Sequence, residues 1–324
     1  MKKYLTLAVI NALCIIFIPM IIYSIFTDNA PGNEAKDNSS PLLSEMTIEV
    51  FDHKTQQTRT LPFREYIIGV VAAEMPVTFH EEALSAGAAA AATLARMNIA
   101  KGADPSLKGA VISTDHRTHQ AYMTVDEMRA AWGDSFDEYY SKLCRAVDKA
   151  IDYSITYEGK LIVAAYHAIS PGATENAENV WIAGFPYLVS VDSPGDELSP
   201  KYLSTCQVSY EEFHRKMTEN GAVLPENTAE WISGCEYSDA GTLLKVRIGN
   251  KEFSGKQLRD IFSLRSAAIT PELTENAVVM TVRGYGHGVG MSQYGADYLA
   301  RQGKTWQEII GYYYTGVTIE KLTD

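Results

Sequence analysis

Residues 87–92 of this chain read Gly87, Ala88, Ala89, Ala90, Ala91 and Ala92, and no other stretch restricts its fold as much. A helical run with no side chain larger than methyl must have other elements packed closely upon it, because protein interiors leave few voids. Its helix is read as entered through Thr78, with Glu81 three residues later at the spacing of a capping box. Just before it lies REYIIGVVAAEMP from Arg64, with Tyr66, Ile67, Val70 and Val71 at helical spacing. Pro76 pushes the residue before it away from the α region, so Glu74 falls in the last turn of a short helix. A carboxyl group held there against Val70, Val71, Met75 and Phe79 loses solvation, which raises its pKa. Such a glutamate can act first as a general acid and then as a base. The plain alternative is a solvated helix-end carboxylate without a role.

The chain has 324 residues, 46% of them hydrophobic and 21% charged, which is the make-up of a globular protein with one large or two ordinary domains. Its formal net charge of −12, with no basic cluster beyond the first three residues, excludes nucleic acid as a partner. Lys2 and Lys3 precede an apolar run over residues 4–26. As a helix it would rise about 34 Å, enough for a hydrocarbon core of about 30 Å. The lysines before it and Asp28 and Glu34 after it orient the N-terminus to the cytoplasm. A cleaved signal peptide is the alternative; the length of the run and the lack of a small-x-small cleavage site favour an uncleaved anchor.

Residues 1–26 are therefore expected to be cytoplasmic N-terminus and transmembrane anchor, residues 27–44 a polar flexible linker, and residues 45–324 an exported domain. The expected fold class is α+β: a single transmembrane helix, then a mixed α/β domain with a glycan-binding groove. Residues 46–51 alternate as a strand, and residues 58–62 pair back on them. Residues 134–151 carry a helical period, and residues 153–168 read as a hairpin turning at Glu158-Gly159. That hairpin delivers His167 into a loop of hydroxyls, amides and glycine (Ser170 to Asn176), followed by Trp181, Phe185 and Tyr187. Sugar rings stack on such aromatics while their hydroxyls need such donors and acceptors. Residues 205–236 read as an inserted subregion. Outside the cytoplasm Cys206 and Cys235 either form a disulfide or remain two free thiols. His116 and His119 form an HxxH without the helix-borne HExxH of a zinc enzyme, and read as a polar loop. His287, among glycines 284, 286, 288 and 290, reads as a hydrogen-bonded brace.

Taken in order, VVAAEMP (70–76), EALSA, THQAY (118–122), YHAISPGATENAENVW (166–181), FPYLVSVDSP (185–194), FSGKQLR (253–259) and GYGHGVGMSQYGADYLA (284–300) resemble the stage II sporulation protein D family. The resemblance implies a peptidoglycan lytic transglycosylase on the mother-cell side of the sporulation septum, single-pass in the cell membrane and extracytoplasmic in its C-terminal domain. It would cleave the bond between N-acetylmuramic acid and N-acetylglucosamine, leaving 1,6-anhydromuramyl ends, during septal wall thinning and engulfment. Its implied partners are glycan strands, a cell-wall amidase or endopeptidase, and a membrane scaffold protein. The family's catalytic glutamate falls on Glu74. Thr174, Tyr187, His167, Ser170 and Tyr122 are the expected substrate-binding residues.

This sequence departs from the family where EALKAQAVAARTYA is usual: Gln, Arg and Tyr become Gly87, Ala92 and Leu94, and a basic residue becomes Val189. An arginine beside the acid would steady developing charge, which Ala92 cannot do. Some members hold zinc with a histidine matched by His167 and two cysteines; Ala173 and Asn179 stand in the cysteine positions, so no metal and no cofactor are expected. The alternative to an enzyme is a non-catalytic peptidoglycan-binding activator of the partner amidase. A metal-dependent hydrolase built on His116, His119 and His287 is the third reading.

Overall fold

The computed structural model describes residues 46–181 and 184–322. Strand β1 (Thr47–Asp52) pairs antiparallel with β2 (Gln57–Pro62) and parallel with the short β3 (Ile112–Ser113). Helix α1 (Phe63–Glu74) follows β2 directly and buries Phe63, Tyr66, Ile67, Val70 and Val71. It stops where Pro76 requires: Met75 is extended at φ −123° and ψ 136°, and its N–H closes the helix on the Val71 carbonyl.

Helix α2 (Glu81–Lys101) is the centre of the larger of two cores. It packs against α1, α4 (Phe136–Ala150), α8 (Gln293–Arg301), α9 (Trp306–Tyr313) and strand β4 (Tyr153–Tyr157). Ala83, Ala86, Ala88 to Ala92 and Ala95 are buried all round, which lets these neighbours approach the α2 backbone. A Cβ on Gly87 would lie 2.3 Å from the Met75 sulfur, so the glycine makes room for the residue that follows Glu74. Arg96 crosses from α2 beyond the end of α4, donating to the Ile151 carbonyl at 2.5 Å and the Tyr153 carbonyl at 2.9 Å. The Ile151 carbonyl, at the C-cap, is one that the ending helix leaves open, and the Tyr153 carbonyl begins β4.

The cap of α2 differs from the expected one. His80, not Thr78, is the N-cap, and its Nδ1 accepts from the Glu82 N–H at 3.2 Å. The Phe79 N–H bonds the Pro76 carbonyl in a turn, while Phe79 packs edge-on against Tyr294, so the helix begins later. His80→Ala is expected to cost about 1 kcal/mol, read as a lower urea midpoint; an unchanged midpoint would show that the imidazole does not cap.

Helix α3 (Val125–Trp132) begins with a capping box from Thr124 and Glu127, and precedes α4. The hairpin after α4 is shorter than expected: β4 turns at Glu158-Gly159 into β5 (Lys160–Leu161) and ends there. Residues Tyr166–His167 leave it as β6 and pair in parallel with β13 (Met291–Ser292), which also provides the N-cap of α8. Gly290 allows this approach, with φ +73° and a would-be Cβ 2.1 Å from the Ala165 carbonyl oxygen.

The second core lies within residues 203–283. Two three-stranded sheets form it. One is ordered β10 (Lys251–Phe253), β9 (Leu243–Ile248), β8 (Ile232–Tyr237); the other β11 (Ala268–Leu273), β12 (Ala277–Arg283), β7 (Leu203–Ser209). They bury Val208, Leu243, Val246, Val278 and Met280 against α6 (Tyr210–Glu219) and α7 (Gly255–Phe262). The four-residue α5 (Ala177–Val180) packs on the larger core through Ala177 and Val180, and β14 (Thr318–Lys321) pairs with β4. Cys206 and Cys235 are free thiols, the first half-buried and the second exposed.

One expectation is corrected. No helix among the described residues is long and apolar enough to cross a membrane, and the run over residues 4–26 on which a transmembrane anchor was expected lies outside them. The fold is a mixed α/β structure, and neither the single membrane span nor a single-pass membrane location is retained.

Candidate active site

Glu74 is the last residue of α1. The negative end of the helix dipole disfavours a carboxylate there. Its Oε1 accepts the Ala121 N–H at 2.8 Å, and the Gln293 side chain at the start of α8 bonds to the same carboxyl. Burial raises its pKa above the ordinary glutamate value, against the pull of the Ala121 N–H, Gln293 and the charge of His116. The apolar wall is as expected in Val70, Val71 and Met75. Phe79 lies instead in the aromatic contact with Tyr294.

Beside the carboxyl is a cavity of about 10 Å³, lined also by Gly87, Ala91, Tyr166 and Met291. Behind it runs a chain of polar groups. Tyr66 donates its hydroxyl to Gln120 Oε1 at 3.1 Å, and Gln120 Nε2 donates to the Tyr166 hydroxyl at 3.1 Å and the Ala91 carbonyl at 3.4 Å. Both phenols are pushed up by burial and, secondarily, by the charge of Glu74, so both keep their protons. The acid is thus reached from α1, the loop before α3, β6 and the α8 N-terminus, four segments far apart in sequence.

The other expected residues lie elsewhere. Thr174 is buried, and its Oγ1 accepts the Val191 N–H at 3.0 Å and donates to the Val189 carbonyl at 3.5 Å. Tyr187 is 7% exposed; its hydroxyl accepts the Val163 N–H, and its ring lies in the row Tyr157, Tyr187, Phe185, Trp181. Ser170 is buried and donates to Asp196. Tyr122 stacks on Tyr66 at 5.8 Å and covers Gly69. Thr174, Ser170 and Tyr187 thus spend their polar atoms on the fold, and only Tyr122 touches the network behind the acid. Gln120, Tyr166 and Gln293 are absent from the expected site residues; all three lie inside the motif blocks, but nothing local marks them as facing Glu74.

His167 is buried, with Nδ1 on the Val289 carbonyl at 3.1 Å and Nε2 unpartnered; desolvation lowers its pKa to about 4. His287, 5.7 Å away between ring centres, accepts the Val289 N–H at Nδ1 and bonds the Tyr166 backbone, which makes it a brace; its pKa falls to about 3, chiefly through burial. The residues around His167 do not fit zinc: Ala173 has no donor atom, and the Asn179 amide is held by Glu175 Oε1 at 2.8 Å. His116 is exposed, and His119 is half-buried with its pKa lowered by burial.

Residues 51–157, from within β1 to the end of β4 and including Glu74 and α2, match the family model for stage II sporulation protein. Stage II sporulation protein D of Bacillus amyloliquefaciens is 37% identical over 87% of this chain and 82% of its own length. That of Bacillus subtilis is 34% identical over 99% and 96%. An amidase enhancer of Bacillus subtilis is 25% identical over 78% of this chain and 40% of its own length. The class is therefore that of a sporulation protein. The chain belongs to the stage II sporulation protein D family.

Proposed function

We propose that this protein is a lytic transglycosylase of peptidoglycan, with Glu74 as its single acid and base. The observation that carries the reading is a desolvated carboxyl at a helix end, oriented by the Ala121 N–H and open to a small cavity. Protonated Glu74 would give its proton to the glycosidic oxygen between N-acetylmuramic acid and N-acetylglucosamine. As carboxylate it would take the proton of the muramyl C6 hydroxyl, whose oxygen then closes on C1. One group thus serves both steps, and the paired carboxylates of ordinary glycosidases are not required. Half-buried Phe185 and Trp181, packed edge to face beyond the buried Tyr187, offer apolar faces for sugar rings. The family and the amidase-enhancer relative support a role in sporulation-linked wall remodelling, and this proposal adds glycan strands as substrate and a cell-wall amidase as partner.

A second reading is favoured by one observation. Ala92, where an arginine is usual in the family, is buried, and Gly87 is filled over by Met75, so α2 presents no cation to the site. On that reading the protein binds glycan and presents it to an amidase without cutting it. Digestion of purified glycan strands, with and without stem peptides, separates the two. The transglycosylase gives 1,6-anhydromuramyl ends by mass spectrometry; strands that sediment with the protein but stay intact support the binder.

A further inference from the structure

The orientation of the Gln120 amide decides what Tyr166 can do. The Ala91 carbonyl can only accept, so the NH₂ end of Gln120 must face it, and the Oε1 end must face the Tyr66 hydroxyl. The same NH₂ donates to the Tyr166 oxygen. Tyr166 is therefore an acceptor toward Gln120, and its own proton is directed away from that amide. Among the described residues no acceptor takes that proton. Tyr166 and Glu74 line the same cavity, and a cavity of about 10 Å³ has room for about one water-sized oxygen.

We propose that Tyr166 is a second catalytic residue of this site, its phenol donating a hydrogen bond to the oxygen that occupies the cavity and exchanges a proton with Glu74. The inference rests on the role given to Glu74 above. In the reaction that oxygen is the muramyl C6 hydroxyl: it accepts from Tyr166, gives its proton to the Glu74 carboxylate, and closes on C1 as the leaving-group oxygen departs protonated. Tyr166 keeps its proton throughout, so the proton count is that of Glu74 alone. Without sugar, a water in the same place links phenol to carboxylate and favours the charged form of Glu74. Tyr66 differs, because its proton is already held by Gln120.

The test is a carbon-13 NMR titration of the Glu74 carboxyl, its resonance assigned by its loss in Glu74→Gln. Tyr166→Phe is expected to move the titration midpoint upward by roughly half to one pH unit, and Tyr66→Phe by less than half as much. Gln120→Met, which releases the phenol from its amide, is expected to shift it the same way as Tyr166→Phe. This second variant keeps the test available if Tyr166→Phe folds poorly. With glycan strands, Tyr166→Phe is expected to lower kcat about tenfold or more with KM held within about twofold. An unshifted midpoint in Tyr166→Phe, or equal shifts in the two tyrosine variants, overturns the assignment. The titration needs no activity. A wild-type protein that leaves glycan intact yet shows the Tyr166-specific shift would overturn the transglycosylase reading and leave the hydrogen bond standing. Cleavage by wild type with neither a shift nor a loss of rate in Tyr166→Phe would overturn Tyr166 alone.

Discussion

Glu74→Gln is expected to lower glycan cleavage by about 10²–10⁴-fold without weakening the fold. The amide keeps an oxygen for the Ala121 N–H and nearly the same volume, so the packing around α1 persists. Its effect on stability has a definite sign. Burial places the folded pKa of Glu74 above its unfolded value. The stability this contributes is fully present below the unfolded carboxyl pKa and is lost as pH rises through the folded one. Glutamine has no charge to bury and escapes that loss. The melting temperature of the variant relative to wild type should therefore rise between about pH 4 and pH 8. In wild type the first chemical step needs the protonated acid, so cleavage should fall as pH rises through the elevated value. A variant that melts earlier at pH 8 than at pH 4, relative to wild type, would show that Glu74 is held as a charge.

Asp196→Ala is expected to be the most damaging single change to stability. Asp196 is fully buried and accepts three bonds: the Ser170 N–H at 3.1 Å, the Ser170 hydroxyl at 2.5 Å and the Ser292 hydroxyl at 2.5 Å. Desolvation raises its pKa, while the Ser170, Ser292 and Ser193 hydroxyls hold it down. Ser292 also caps α8, the helix that brings Gln293 to Glu74. Loss of the carboxyl leaves buried donors unpaired in two segments at once, at roughly 1–3 kcal/mol for each group. The expected total is about 3–5 kcal/mol, read as a lower denaturant midpoint with an unchanged slope. Asp196→Asn, which keeps one acceptor oxygen, should lose less. Equal losses in the two variants would show that shape rather than hydrogen bonding holds this junction.

What could be read from the sequence was local. Met75-Pro76 ends a helix whatever surrounds it, so the position of Glu74 follows from the chain itself. The alanine run announces close packing, and α2 lies at the centre of its core. The strand expected over residues 46–51, with residues 58–62 pairing back on it, is equally local and is found as β1 and β2. What escaped depends on distant partners. The cap moved from Thr78 to His80 because Phe79 is drawn against Tyr294, more than 200 residues later. The hairpin expected to reach residue 168 ends at Leu161 because β6 finds its partner in β13. Thr174 and Ser170 look like sugar-binding hydroxyls in a linear reading, yet each is spent within the fold. Gln120 and Tyr166 acquire meaning only once Ala91 fixes which end of the amide faces the phenol.

The most direct test of the account is glycan digestion in water enriched in oxygen-18, with the new muramyl ends weighed by mass spectrometry. A single acid and base that draws its nucleophile from the sugar consumes no water. The account therefore predicts 1,6-anhydromuramyl ends free of the label, and no such ends from Glu74→Gln. Reducing ends that carry oxygen-18 would mean that water is the nucleophile, and would contradict it.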